Sequence, residues 1–321
     1  MRLCFLVVAA ATAALPALAN DLGEPVHFQG ASLAGVHPPR AGAFAFDSGE
    51  SDPVAASFDT VLFQGISTDA LEFEAARRSS SGLWSRWEKA RVQTHPQGRF
   101  WARARFPAAA PGSLRLRAKA VAGGAGRSLL IFSVAAYDSG EGEDSAPEAP
   151  EPPAPDGARK PEIHGREAWS AKPPRQTPAP HVPARITQHH TEGRQPVSLA
   201  DSLNELRFIQ DFHQNGRGWN DIAYHFLVDA EGRIFQGRPE RVQGSHVRGH
   251  NAGNVGIALL GNHHSPMNHA VTPAQLRALQ ALGRWLGDAY AIPSRTYAGH
   301  RDLVSTTCPG DILHPLLGRI R

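Results

Sequence analysis

Thirteen of the chain's sixteen histidines fall after residue 160, and the cysteine Cys308 lies among them. Imidazole and thiolate are the ligands that zinc favours. His189 and His190 close a segment with a strand pattern, where successive side chains point to opposite faces, so only one of the pair can face a given site. His300 follows a short strand pattern and precedes Cys308 by eight residues, and the polar segment between them is long enough to fold back. Two histidines and a cysteine leave the fourth position of a tetrahedral zinc open, which is the arrangement of a catalytic site. Spacing by itself leaves a second reading open, in which a core histidine packs beside a buried thiol.

Alternating strand and helix signals position these residues. Ala184 to His190 reads as a strand, and Ser198 to Asp201 opens a helix with a capping-box pattern. Leu199, Leu203, Leu206, Ile209 and Phe212 then recur at spacings of three and four, giving that helix one apolar face. Tyr224 to Asp229 and Arg233 to Gln236 flank Ala230-Glu231-Gly232 as a hairpin. Asn254 to Leu260 is a nearly continuous apolar strand. Thr272-Pro273-Ala274-Gln275 combines an N-cap, a proline at the first helical position and a glutamine at the third, so a helix is expected to about Tyr290. Tyr297-Ala298 is a short strand, and Asp311 to Ile320 a terminal helix. Such an α/β pattern predicts a mixed sheet flanked by helices.

The first half reads differently. From Phe58 to Tyr137 the period is two: Phe100, Ala102, Ala104 and Phe106 alternate with Trp101, Arg103 and Arg105, while Leu114, Leu116 and Ala118 alternate with Arg115, Arg117 and Lys119. With Val61 to Gln64, Leu71 to Arg77 and Leu129 to Ala135 these predict an all-β, sandwich-like N-terminal domain. The arginines form an ordinary solvated face, with anionic polymers as a less favoured partner. Leu83 to Trp87 is an aromatic turn. Between the halves, residues 138–161 are acidic and proline-rich, as in Glu148 to Asp156, and read as an extended linker. The pair His263-His264 with His269 sits in a polar loop beside Ser265-Pro266 and reads as loop, not as a second metal site.

Composition limits the alternatives. The 321 residues carry 33 basic and 30 acidic side chains, a balance that excludes a dedicated nucleic-acid binder. Two cysteines cannot build a disulfide scaffold. Residues 1–19 have a basic start, an apolar run from Leu3 to Leu15 and Ala17-Leu18-Ala19, the form of a secretory signal peptide. No later segment approaches the roughly 18 apolar residues of a membrane span. A secreted or periplasmic protein is expected, and since Cys4 leaves with the signal, Cys308 remains without a partner in its own chain. The organisation expected is a signal at 1–19, a β-rich domain at 20–137, a linker at 138–161 and an α/β domain at 162–321.

Five ordered blocks carry a resemblance. Gln188-His189-His190-Thr191, Gly218-Trp219-Asn220-Asp221-Ile222-Ala223-Tyr224-His225-Phe226, Gly244-Ser245-His246, Asn254-Val255-Gly256-Ile257, and Gly299-His300-Arg301-Asp302 through Ser305-Thr306-Thr307-Cys308-Pro309-Gly310 resemble the peptidoglycan recognition protein and type 2 N-acetylmuramoyl-L-alanine amidase family, related to the phage amidase lysozymes. The likeness runs from about Glu162 to Arg321. It implies one zinc ion per chain held by His189, His300 and Cys308, with His190 facing away. It also implies a catalytic tyrosine at Tyr224. Thr306 stands where animal catalytic members carry threonine and phage members lysine, and is expected to stabilise the oxyanion. His246 is a candidate for proton transfer or substrate contact, equally readable as a packing residue, and Asn251 is a second candidate for substrate contact. The activity implied is zinc-dependent hydrolysis of the amide between N-acetylmuramic acid and L-alanine, on peptidoglycan or muropeptides, by a monomer. The rival is a recognition module that binds muropeptide without cleaving it; members that only bind commonly lack the cysteine.

Overall fold

The computed structural model describes residues 24–28, 34–37, 44–68, 70–121, 127–140, 142–143 and 159–320. The expected signal peptide and most of the acidic linker lie outside these residues.

Nine antiparallel strands form the N-terminal sheet: β1 (Glu24–Pro25), β2 (Ala34–His37), β3 (Phe44–Asp47), β4 (Val54–Ser67), β5 (Leu71–Arg78), β6 (Glu88–Lys89), β7 (Arg91–Thr94), β8 (Arg99–Ala120) and β9 (Arg127–Tyr137). The two alternating segments around Phe100 and Leu116 are one 22-residue strand, β8. Its first part pairs with β4 and its second, from Ser113, with β5. Gly112 lies at the changeover with φ 154°, where a Cβ would meet the Arg78 carbonyl oxygen at 2.1 Å, so a side chain there would displace the backbone. One face of the strands buries Phe58, Phe63, Phe73, Phe100 and Phe106 with Leu114 and Leu116. Of the charged face, Arg115 pairs with Asp47 and Arg117 with Glu74. In the aromatic turn Trp84 is exposed, and the Arg117 guanidinium lies 3.9 Å from the centre of the Trp87 ring.

A separate five-stranded mixed sheet occupies the C-terminal half. Its elements are β10 (Arg185–His190), α1 (Leu199–Asp211), β11 (Phe226–Val228), β12 (Ile234–Gln236), β13 (Asn254–Leu259), α2 (Pro273–Tyr290) and β14 (Tyr297–Gly299). The spatial order is β12-β11-β13-β10-β14, parallel except for the β11–β12 hairpin. The Thr272 capping box starts α2 as its sequence requires, whereas α1 has only the Ser198 cap, whose hydroxyl accepts from the Asp201 amide. The expected terminal helix is a short 3₁₀ segment, His314–Arg319. Pro315 removes a backbone donor and Gly318 disfavours a longer helix.

Helix α2 packs on one face of this sheet through Leu279, Leu282, Trp285 and Leu286 against Phe226, Ile257 and Leu259. Helix α1 covers the other through Leu206, Phe208 and Ile209 against Leu227 and Ala258. Leu199, expected in that apolar face, is exposed. The same core takes in Leu62 of β4 and Trp101 of β8, so the N-terminal sheet docks on α1 directly. At the junction Arg99 and Glu205 are each 2 % exposed and joined by two hydrogen bonds, Nε to Oε2 at 2.9 Å and Nη2 to Oε1 at 2.6 Å. Trp101 Nε1 donates to Asp211 Oδ2 at 2.9 Å. Arg103 Nη1 donates to the Gly216 carbonyl at 2.8 Å and Tyr137 Oη to the same oxygen at 3.3 Å.

Candidate metal centre and cleft

Parallel pairing places the first two site residues. Gln188 lies opposite Gly299 in the β10–β14 register, so His189, still on β10, and His300, the first residue past β14, follow side by side. His189 also lies opposite Ala258, and Ala258 opposite Leu227, which puts His189 on the face that carries α1. Beyond His300 the chain turns through a 3₁₀ segment and returns, closed by the Arg301 amide donating to the Cys308 carbonyl at 2.9 Å. The Arg301 side chain binds the Thr307 carbonyl and, at 2.7 Å, Asp311 Oδ1. That loop brings Cys308 Sγ to 3.5 Å from His189 Nδ1.

The ligand atoms of His189, His300 and Cys308 lie within 4.8 Å of one another, all three buried. Both ring nitrogens of His300 are buried without a hydrogen-bond partner, a costly state for a polar group that a coordinated ion would relieve. Burial, reinforced by the neighbouring imidazoles, pushes His189 well below the ordinary histidine range and His300 to about 3, so both rings are neutral donors near pH 7. Burial pushes the Cys308 thiol up; a cation among these residues supplies the charge that favours the thiolate. The residues therefore fit a soft divalent metal.

The other candidates divide into two groups. Tyr224 stands just before β11 with its ring centre 5.2 Å from that of His189, and it lines a cleft together with Thr306, Thr191, His213, Ile209 and Phe212. The Thr306 hydroxyl accepts from the Cys308 amide at 3.2 Å, which leaves its own hydrogen to donate. His246 sits against His189 instead, and Asn251 against His246. His246 is 1 % exposed, with Nδ1 3.0 Å from His189 Nε2 and Nε2 3.0 Å from the Asn254 carbonyl. Asn251 Oδ1 accepts from the amides of His246 and Val247, each at 2.8 Å. Neither is among the residues that line the cleft; the hydrogen bond of His246 to His189 matches the packing alternative read for it from the sequence. His190 turns to the opposite side, where its Nδ1 accepts from the His263 amide at 3.1 Å. His263 and His269 are tied to each other through His263 Nδ1 and the His269 carbonyl at 2.7 Å, as befits a structured loop.

Sequence reasoning missed the contribution of the N-terminal sheet to the cleft. Leu62, Gln64, Ser133, Val134 and Ala135 of the N-terminal sheet line it together with Tyr224 and Thr306. Nothing local in the sequence marks them, because only the docking of β4 and β8 on α1 brings them there.

Residues 179–311 match the family model described as N-acetylmuramoyl-L-alanine amidase. The chain is 36% identical over 163 residues to the N-acetylmuramoyl-L-alanine amidase of Sus scrofa, covering 49% of this chain and 27% of that protein. It is 34% identical over 160 residues to peptidoglycan-recognition protein LB of Drosophila melanogaster, covering 48% of this chain and 67% of that one. Among solved structures, wild-type Drosophila PGRP-LB aligns with a TM-score of 0.44 at 30% identity, covering 49% of this chain and 92% of that chain. The chain thus spans under a third of the length of the mammalian amidases that it matches.

Proposed function

Because the chain belongs to the peptidoglycan recognition protein and N-acetylmuramoyl-L-alanine amidase family, we propose that it hydrolyses the amide joining N-acetylmuramic acid to L-alanine, with zinc held by His189, His300 and Cys308. The observation that carries this reading is the convergence of those three buried donors beside a cleft lined by Tyr224 and Thr306. An amide is a poor electrophile with a poor leaving group, so its hydrolysis near neutral pH needs both a stronger nucleophile and a stabilised oxyanion. Zinc, when bound, supplies Lewis acidity and activates water.

The chain's own residues do the rest. Tyr224 and the Thr306 hydroxyl face the cleft as hydrogen-bond donors for the negative charge that grows on the carbonyl oxygen. His246 fixes the ring of His189, and the Arg301 clamp fixes the loop that carries Cys308. Family members that only recognise muropeptide commonly lack the cysteine, and the nearness of Cys308 to His189 and His300 supports the cleaving reading. Its peptidoglycan substrate would meet the protein outside the cytoplasm, in keeping with the export expected from the sequence. No helix among the described residues is long and apolar enough to cross a membrane.

The test is mass spectrometry of defined muropeptides incubated with the full chain, zinc-loaded or treated with chelator. Release of stem peptide only in the zinc-loaded sample is the expected result. A chain that binds stoichiometric zinc and muropeptide yet releases no peptide would be a recognition protein.

A further inference from the structure

The residues matched to the amidase family begin at 179, yet five residues that line the cleft precede position 138. Their arrangement follows from strand register. Leu62 lies opposite Ala135 and Gln64 opposite Ser133 in the β4–β9 pairing. On the other side of β4, Gln64 lies opposite Trp101 and Leu62 opposite Arg103. Residues paired across strands share a face, so one face of the sheet runs from Trp101 and Arg103 through Leu62 and Gln64 to Ser133 and Ala135. The opposite face holds Val61 and Phe63 in the N-terminal core.

The two margins of that face do different things. On β8, Trp101 and Arg103 are bound to Asp211 and Gly216, which anchors the sheet. On β9, Ser133 and Ala135 overhang the cleft. Gln64 is 5 % exposed and held in one orientation: its Oε1 accepts from Arg99 Nη2 at 2.9 Å, so its amide hydrogens point to Ser133 Oγ at 3.1 Å and the Thr191 carbonyl at 3.5 Å. Ser133 Oγ, accepting from Gln64, keeps its own hydrogen to donate. The result is a preformed surface with a hydroxyl donor beside small apolar groups, chemistry suited to a chain of amides with short side chains.

We infer that the N-terminal sheet is one wall of the substrate site, and that the surface formed by Leu62, Gln64, Ser133 and Ala135 contacts the peptide part of the muropeptide. This rests on the function proposed above and assigns the first half of the chain a part in it. The amidase fold and the sheet would then bind substrate together, not as a catalyst with a tethered accessory.

The experiment uses the full chain carrying Tyr224→Phe to slow turnover, with calorimetric titration of an N-acetylmuramoyl tripeptide. Ser133→Trp and Ala135→Trp, added singly, fill the cleft from the β9 side and are expected to weaken binding by about tenfold or more, at unchanged zinc content and melting temperature. Ser133→Ala removes only the donor and is expected to weaken it by about threefold to tenfold, which keeps the test decisive if a tryptophan variant fails to fold. Folded variants that bind as tightly as their parent would overturn the wall and leave the muropeptide reading intact. Absence of binding by the parent and by the unmutated chain would overturn both.

Discussion

His189 Nε2 lies 3.0 Å from His246 Nδ1, and the other nitrogen of His246 lies 3.0 Å from the Asn254 carbonyl. A carbonyl only accepts, so His246 carries its hydrogen on Nε2 and presents a lone pair at Nδ1. His189 must then donate through Nε2, which leaves the lone pair of its Nδ1 directed toward Cys308 Sγ, 3.5 Å away. The relay from Asn254 thus sets which nitrogen His189 would offer to the proposed zinc, a common duty of residues one step behind metal ligands.

His246→Ala is therefore expected to lower zinc affinity by about 10- to 100-fold while leaving the three ligands in place. Competition with a chromogenic chelator measures it. Unchanged affinity, with activity lost, would return His246 to a direct role in the chemistry.

Ligand and cleft residues should separate in their effects. Cys308→Ala removes a donor from the set, so stoichiometric zinc and peptide release are expected to be lost together. Tyr224→Phe removes only a hydroxyl at the cleft, so zinc should remain at one per chain while kcat falls by about 10²- to 10³-fold, the usual effect of deleting one oxyanion donor. Zinc analysis alongside initial rates tests both; full activity in either variant would remove that residue from the proposed site.

The convergence of His189, His300 and Cys308 near Tyr224 was legible because these residues sit in ordered blocks whose local structure the sequence dictates. The strand ending at His189, the hairpin after Tyr224 and the loop from His300 to Cys308 each form within a short stretch of chain. Alternation also showed that Trp101 and Arg103 share a strand face, but it could not show that this face would be buried by α1. It made Arg103 part of a solvated surface, whereas its guanidinium reaches the Gly216 carbonyl. The contacts of Arg99 with Glu205 and of Gln64 with Thr191 span 106 and 127 residues, and no local pattern encodes pairing at such distances. His246 was ambiguous for another reason: a histidine motif has the same appearance whether the ring faces substrate or backs a ligand.

The docking of the sheet on α1 includes a buried ion pair. Arg99 and Glu205 are both nearly inaccessible, and Arg99 also packs 3.7 Å from the centre of the Phe208 ring. Glu205→Ala leaves the guanidinium buried without its counter-charge, and should cost about 3–5 kcal/mol of stability. The Arg78–Glu50 pair is the internal contrast, since both side chains are about 40% exposed, 43% and 39%. Glu50→Ala is expected to cost under about 1 kcal/mol. Urea unfolding of the two variants compares them, and similar losses would mean that the Arg99–Glu205 pair does not hold the junction.

The same junction should fail in acid. Burial raises the pKa of the Asp211 carboxyl, but hydrogen bonds from His95 at 3.0 Å, Trp101 at 2.9 Å and Asn215 at 2.6 Å outweigh it and hold the group below the ordinary aspartate value of 3.8. A carboxyl depressed by folding stabilises the native state above its unfolded pKa, and that contribution disappears as pH falls through the folded value. Stability should therefore decline below about pH 4 as the unfolded chain takes up the proton first. Asp211→Asn cannot titrate; it should be less stable than wild type at pH 7, with the gap closing as the pH is lowered toward and below the folded pKa. Urea midpoints from pH 7 down to pH 2 measure that gap, and a difference independent of pH would show that Asp211 charge does not hold the sheet to α1.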